Sequence, residues 1–213
     1  MITAIFDLDG TLADSLYDLA NAVNYGLDKL GFPSHPYDSY RYFVGNGAAK
    51  LCYRALPMNE KDSAERLLEL FTEYYSEHYL DETRLYPGIP DVLAELASYD
   101  VTLAVATNKP QQVAQKIVKT LLPDTNFFKV LGGCDSRPKK PDITIISEIV
   151  NELPSDNEVW MIGDSNVDIT TAQNAGIASI GCAWGFRGRR ELEDCGADYI
   201  TESAEDISRI ILR

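Results

Sequence analysis

Apolar residues along this chain follow two rhythms. Short unbroken runs occupy residues 2–6 (ITAIF), 101–107, 159–162 and 178–182, with weaker ones near Val130 and Tyr199. Runs of this length read as parallel strands buried on both faces. Between them, apolar positions recur at helical spacing. Val113, Ile117, Val118 and Leu121 share a face of QQVAQKIVKTLL, and Ile145, Ile149 and Val150 share one of DITIISEIVNEL. Strands alternating with helices predict an α/β fold, a parallel sheet with both faces covered.

The stretch 15–84 breaks that alternation. Leu16, Leu19, Ala20, Val23, Leu27 and Leu30 define one long amphipathic helix, closed by Gly31 and Pro33. A second, at about 60–79, carries Leu67, Leu68, Phe71, Tyr74 and Tyr75 among many charges, and no strand pattern lies between the two. The pattern therefore predicts an all-helical unit at 15–84 inserted into a catalytic-type core of residues 1–14 and 85–213, with LYPGIP at 85–90 marking the return to the sheet.

With 213 residues and 45% hydrophobic content, the chain has enough apolar side chains for a sizeable core. No apolar run approaches the length of a membrane span, and the first residues lack a basic, apolar leader, so a cytoplasmic location is expected. The cysteines at 52, 134, 182 and 195 show no CxxC spacing and read as free thiols. His35 and His78 are too separated for a histidine metal site, and His35, in GFPSHPYD, reads as a surface-loop residue. A formal net charge of −14 argues against nucleic acid and anionic membranes as partners. It also requires that any anionic ligand find a local positive site.

Polar clusters fall at the predicted strand ends. Asp7 and Asp9 follow the first strand, Thr107 and Asn108 end the strand in VATNKP, and Asp164 ends the next in WMIGDSNVD, with Asp168 four residues on. Open parallel sheets bind ligands beyond the carboxyl ends of their strands. Each residue alone has an ordinary reading: turn aspartates for Asp7 and Asp9, a capping hydroxyl for Thr107, a solvated lysine at Lys140 in RPKKPD, a helix cap for Asp168. Together, and in this order, they assemble a site of carboxylates, one hydroxyl and one lysine. A hard divalent cation such as Mg²⁺ would offset the repulsion among the acids and make room for a phosphate. Asp7 then fits a nucleophile in phosphoryl transfer, and Asp9 a proton donor to the leaving oxygen and later an activator of water.

The motifs DLDGT, VATNK, KKPD and GDSNVD resemble the four ordered motifs of the haloacid dehalogenase superfamily, and the resemblance spans nearly the whole chain. It implies a Rossmann-like core with a helical cap between the first two motifs. It implies Asp7 as nucleophile, Asp9 as general acid/base, and Thr107 and Lys140, with neighbouring Asn108, as the phosphate-holding residues. Mg²⁺ would be held by the side chains of Asp7 and Asp164 and the backbone carbonyl of Asp9, with Asp168 supporting them. The resemblance favours Lys140 over Lys139, because Lys140 directly precedes Pro141 as in the family pattern. The stretches ADSLYDLANAVNYGLDKLG, YFVGNGAAKL and WGFRGRRELEDCGADYITES are similar to the phosphoglycolate phosphatase-like branch.

The function expected is therefore a Mg²⁺-dependent phosphatase acting on a small phosphorylated metabolite, with 2-phosphoglycolate the first candidate, as a monomer or homodimer. A nucleotide, a sugar phosphate or pyrophosphate, or phosphoryl transfer in the manner of a phosphoglucomutase, are alternatives. A phospho-accepting switch is a competing class, although receivers of that kind lack a helical insertion and do not carry the phosphorylated Asp on the first strand. Selectivity is expected in the insertion, where RYFVGNGAAKL offers Arg41 and Lys50 to an anionic leaving group.

Overall fold

The computed structural model, which describes all 213 residues, converts the apolar runs into six parallel strands. These are β1 (Ile2–Phe6), β4 (Thr102–Pro110), β5 (Lys129–Gly133), β6 (Glu158–Gly163), β7 (Ala178–Cys182) and β8 (Tyr199–Thr201). They lie in the order β5-β4-β1-β6-β7-β8. Along β1, Ala4 and Phe6 point to one face and Ile5 to the other, the two-residue alternation of a pleated strand. On the first face they meet apolar side chains of α5 (Ile89–Ser98), α6 (Gln111–Leu121) and α10 (Glu205–Ile211). On the second, Ile5 and Met161 meet Ile145, Ile146 and Ile149 of α7 (Thr144–Val150) and Ala172 of α8 (Asn166–Ala175). A short α9 (Gly188–Asp194) joins β7 to β8. The strand neighbouring β1 on one side is β4 and on the other β6, so the chain changes direction across β1. That switch point is where an open α/β sheet leaves a crevice.

The region 15–84 is helical: α1 (Leu16–Lys29), α2 (Tyr37–Phe43), α3 (Ala48–Ala55), a 3₁₀ turn (Met58–Ser63) and α4 (Ala64–His78). Their buried apolar faces form a cluster of their own, built on Leu19, Val23, Leu27, Leu67 and Phe71 and joined from the sheet side by Phe186. Gly31, at φ 75°, ends α1 in the left-handed conformation, letting Gly31 N–H reach the Asp28 carbonyl and Phe32 N–H the Leu27 carbonyl.

Four details depart from the sequence expectation. A two-stranded antiparallel ribbon, β2 (Ala13–Asp14) with β3 (Arg84–Leu85), closes the base of the helical region, where two residues are too few to leave a pattern. β4 continues to Pro110 rather than stopping at 107, so Thr107 and Asn108 sit inside the strand. The second long helix begins at Ala64, after the 3₁₀ turn. His35 is not a loose surface residue: its N–H donates to Asn24 Oδ1 (2.9 Å) and its Nε2 lies 2.7 Å from the Ala55 carbonyl oxygen, tying the loop to α1 and α3. None of the four cysteines is paired, and no helix is long and apolar enough to cross a membrane.

Candidate active site

β1, β4 and β6 deliver their carboxyl ends side by side, and Asp7, Thr107, Asn108 and Asp164 arrive with them, all buried. Lys140 enters from the loop before α7 and is almost wholly enclosed. Its Nζ donates to Asp168 Oδ1 (2.6 Å) and to the Ala106 carbonyl oxygen (2.7 Å) and lies 3.0 Å from Asp7 Oδ1. The approach to Asp7 has ion-pair distance but not hydrogen-bond direction, which leaves Asp7 Oδ1 buried without a hydrogen-bond partner. Asp168 is occupied at both oxygens, since Oδ2 accepts from Ser165 N–H and Oγ at the start of α8. Asn108 clamps the Lys140 backbone from both sides, accepting from its N–H (2.8 Å) and donating to its carbonyl (3.1 Å). The same amide donates to the Gly45 carbonyl (3.0 Å), reaching across to the helical region.

Asp7, Asp164 and Asp168 bring carboxylate oxygens within 4.8 Å of one another. Burial pushes Asp7 up to about 6 against the pull of Lys140, and burial with the charges of Asp168 and Asp7 raises Asp164 well above the usual carboxylate range. Burial opposes the charge on Lys140, but Asp168 and Asp7 outweigh it and hold its pKa above the ordinary value. An all-oxygen donor set, a buried carboxylate oxygen that accepts no hydrogen bond and crowded like charges together fit a hard divalent cation. Packing around Asp164 is tight enough to dictate glycine: Gly10 runs at φ 86°, and a Cβ there would overlap the Asp164 carboxylate. Asp164 Oδ2 also accepts the Phe186 N–H (2.7 Å). Asp9 stands outside this cluster. Its side chain turns toward the helical region, where Lys109 Nζ donates to Oδ1 (2.9 Å) and Oδ2 (3.1 Å) and Ser15 Oγ donates to Oδ1.

The model of the haloacid dehalogenase-like hydrolases matches residues 4–182, a span that holds every one of these side chains. The chain belongs to that family. Among curated relatives, this hydrolase is 33% identical over 214 residues to a phosphoglycolate phosphatase of Vibrio parahaemolyticus, covering 97% of this chain and 94% of the relative. It is 34% identical over 218 residues to one of Psychrobacter arcticus, covering 97% and 93%. A solved structure from Lactobacillus delbrueckii subsp. bulgaricus matches with TM-score 0.90 at 32% identity, covering 98% of this chain and 97% of that one. A haloacid dehalogenase-like family hydrolase from Streptococcus pneumoniae matches with TM-score 0.87 at 30% identity over 98% of each chain. Together these make the protein a phosphatase-type hydrolase.

Between sheet and helices this hydrolase has a cleft open to solvent, with Asp7, Asp9, Thr107 and Asp164 at its floor. Leu19, Val44, Leu51, Phe71 and Phe186 give it an apolar wall. Arg41 and Lys50 do not line it, contrary to the sequence expectation. Arg41 faces outward against Asp38 and the Gly185 carbonyl, and Lys50 lies on the exposed ring of Tyr53. The basic side chains that do line the cleft are Lys109, from β4, and Arg187, from the segment after β7, whose Nη2 donates to the Val44 carbonyl (2.9 Å). Sequence reasoning missed both. The signal for Lys109 lay within VATNKP itself, two residues past Thr107, but a lysine at a strand end looks solvated until the strand is known to continue.

Proposed function

We propose that the chain hydrolyses a small phosphorylated metabolite, with 2-phosphoglycolate the first candidate, through a phosphoryl-aspartate on Asp7. The observation that carries this reading is Asp7 itself: a buried carboxylate whose Oδ1 accepts no hydrogen bond yet lies 3.0 Å from an enclosed lysine, at the switch point of the sheet. Asp7 attacks phosphorus, forming the acyl phosphate as the ester oxygen departs. Asp9 gives that oxygen its proton, then takes one from the water that cleaves the acyl phosphate. Lys140 and the Thr107 hydroxyl hold phosphoryl oxygens. Asp168 and Asn108 fix Lys140 in place, the first through its ammonium and the second through its backbone. Asp7, Asp164 and the Asp9 backbone carbonyl would hold Mg²⁺, with Asp168 as support. The ion would supply positive charge against the acidic cluster and the transferring phosphoryl group.

Residues 15–84 act as a cap over a core of 1–14 and 85–213. The phosphoryl-holding groups are the same for every monoester, so the cleft wall and its Arg187 select the leaving group. 2-Phosphoglycolate is supported by the relatives' activity and by Arg187, a cation on the cleft wall able to meet a carboxylate. The test is steady-state kinetics with Mg²⁺ on 2-phosphoglycolate, a nucleoside monophosphate, a sugar phosphate, pyrophosphate and para-nitrophenyl phosphate. The highest kcat/KM is expected on 2-phosphoglycolate, with activity lost in excess chelator. A preference for any of the others replaces the substrate while leaving the chemistry, and full activity in chelator removes the metal.

A further inference from the structure

Lys109 is the one buried ammonium in the cleft that the chemistry above leaves without a task. Its side chain is 2% exposed. Besides bonding both Asp9 oxygens, Nζ donates to Tyr75 Oη (2.7 Å) and stands 4.9 Å from that ring's centroid. Tyr75 belongs to α4 and is packed in the helical cluster. A single ammonium on strand β4 thus ties the Asp9 carboxylate to a helix of the insertion. Ser15, at the start of α1, donates to the same carboxylate at Oδ1.

Enclosing a lysine is costly, and a single ion pair offsets the cost only when its geometry is good and its remaining protons are used. Here they are used, and on one carboxylate in particular. A group that delivers a proton to a leaving oxygen must be held within hydrogen-bond reach of it, and small misplacements cost large factors in rate. We infer that Lys109 and Tyr75 are positioning residues that set where the Asp9 carboxylate sits, so that proton delivery depends on α4 being seated against the core. This rests on the reading of Asp9 as the proton donor. A purely structural role, neutralising Asp9 and fastening the insertion, is the alternative to be separated from it.

The two differ in what they do to different esters. An alkyl leaving group needs its proton far more than a nitrophenolate does. We would measure kcat and KM for Lys109→Met and Tyr75→Phe, each alone and combined with Asp9→Asn, on glycerol phosphate and para-nitrophenyl phosphate. General acid–base assistance supplies about 10²- to 10⁴-fold, and Lys109→Met is expected to forfeit about 10- to 100-fold in kcat on the alkyl ester. The aryl ester should lose less than about 3-fold, and KM should stay within about 2-fold on both. Tyr75→Phe keeps the ring, and so the packing, and should show the same selectivity at about 3- to 10-fold, which decides the matter even where Lys109→Met fails to fold. In the Asp9→Asn background neither substitution should add a selective loss. Equal losses on the two esters, or an undiminished further loss in that background, overturn the inference while Asp9 keeps its role. If Asp9→Asn itself turns over both esters like the wild type, the reading of Asp9 falls, and the inference with it.

Discussion

Lys140 offers one ammonium to two carboxylates and a carbonyl, and this division governs what each neighbouring acid is free to do. Asp168 is saturated by Lys140 and Ser165, whereas Asp7 keeps an oxygen without a hydrogen bond and Asp164 is held at Oδ2 alone. Asp7→Asn keeps the shape and removes the proposed nucleophile, so it should abolish turnover with an unchanged circular dichroism spectrum; residual hydrolysis by a sequence-verified variant would contradict the nucleophilic role. Asp164→Ala should raise the Mg²⁺ concentration for half activation far more than Asp168→Ala. The latter should instead lower kcat and melting temperature, because it leaves Lys140 and Ser165 without their acceptor. Metal titrations of the two variants, compared with their melting curves, check this.

At the scale of elements, the junction between sheet and helices turns on Asp18. Its buried carboxylate, in the first turn of α1, accepts the N–H groups of Glu82 and Thr83 and the Thr83 hydroxyl, all within 2.7–3.1 Å. Asp18→Ala strands these donors and should cost about 2–3 kcal/mol of unfolding free energy, read from urea denaturation; a loss below about 0.5 kcal/mol would mean that water replaces the carboxylate freely. Arg187 is the element-bridging cation at the cleft wall. Arg187→Ala should lower kcat/KM on 2-phosphoglycolate more than on para-nitrophenyl phosphate, while Arg41→Ala, outside the cleft, should treat the two alike; the reverse pattern would return selectivity to Arg41. The strands and long helices were legible in the sequence because burial on two faces or on one helical face imposes a period. Asp7, Thr107 and Asp164 were legible because short motifs at strand ends converge once the sheet is parallel, and Lys140, on a loop, only because KKPD resembles a motif of the family. Lys109, Arg187, Asp18 and the β2–β3 ribbon were not. Their partners lie 34 to 143 residues away, or their elements are two residues long, and neither leaves a local pattern.

For the molecule as a whole, a net charge of −14 surrounds a site whose own acids resist ionisation. The pKa of Asp7 rises from an ordinary 3.8 to about 6 on folding, so between those values the native state binds more protons than the unfolded one. Stability from this group is therefore lost as pH rises through about 4 to 6, and Asp164 pulls in the same direction. The proposed Mg²⁺ would bind the ionised acids, so millimolar Mg²⁺ should raise the melting temperature by several degrees at about pH 7.5 and by much less at about pH 5. Equal shifts at both, in a thermal-shift assay, would mean that the ion binds elsewhere. The ribbon at the base of the helices has a consequence on the same scale. Asp14 and Arg84 are cross-strand partners, so to the sheet the intervening 69 residues are the loop of a hairpin, whose two ends meet at a fixed spacing. The entropy of closing such a loop grows only with the logarithm of its length. The sheet is thus nearly indifferent to how much chain the hairpin carries, and new helices can be spliced in or pared away there without the phosphoryl pocket having to be rebuilt.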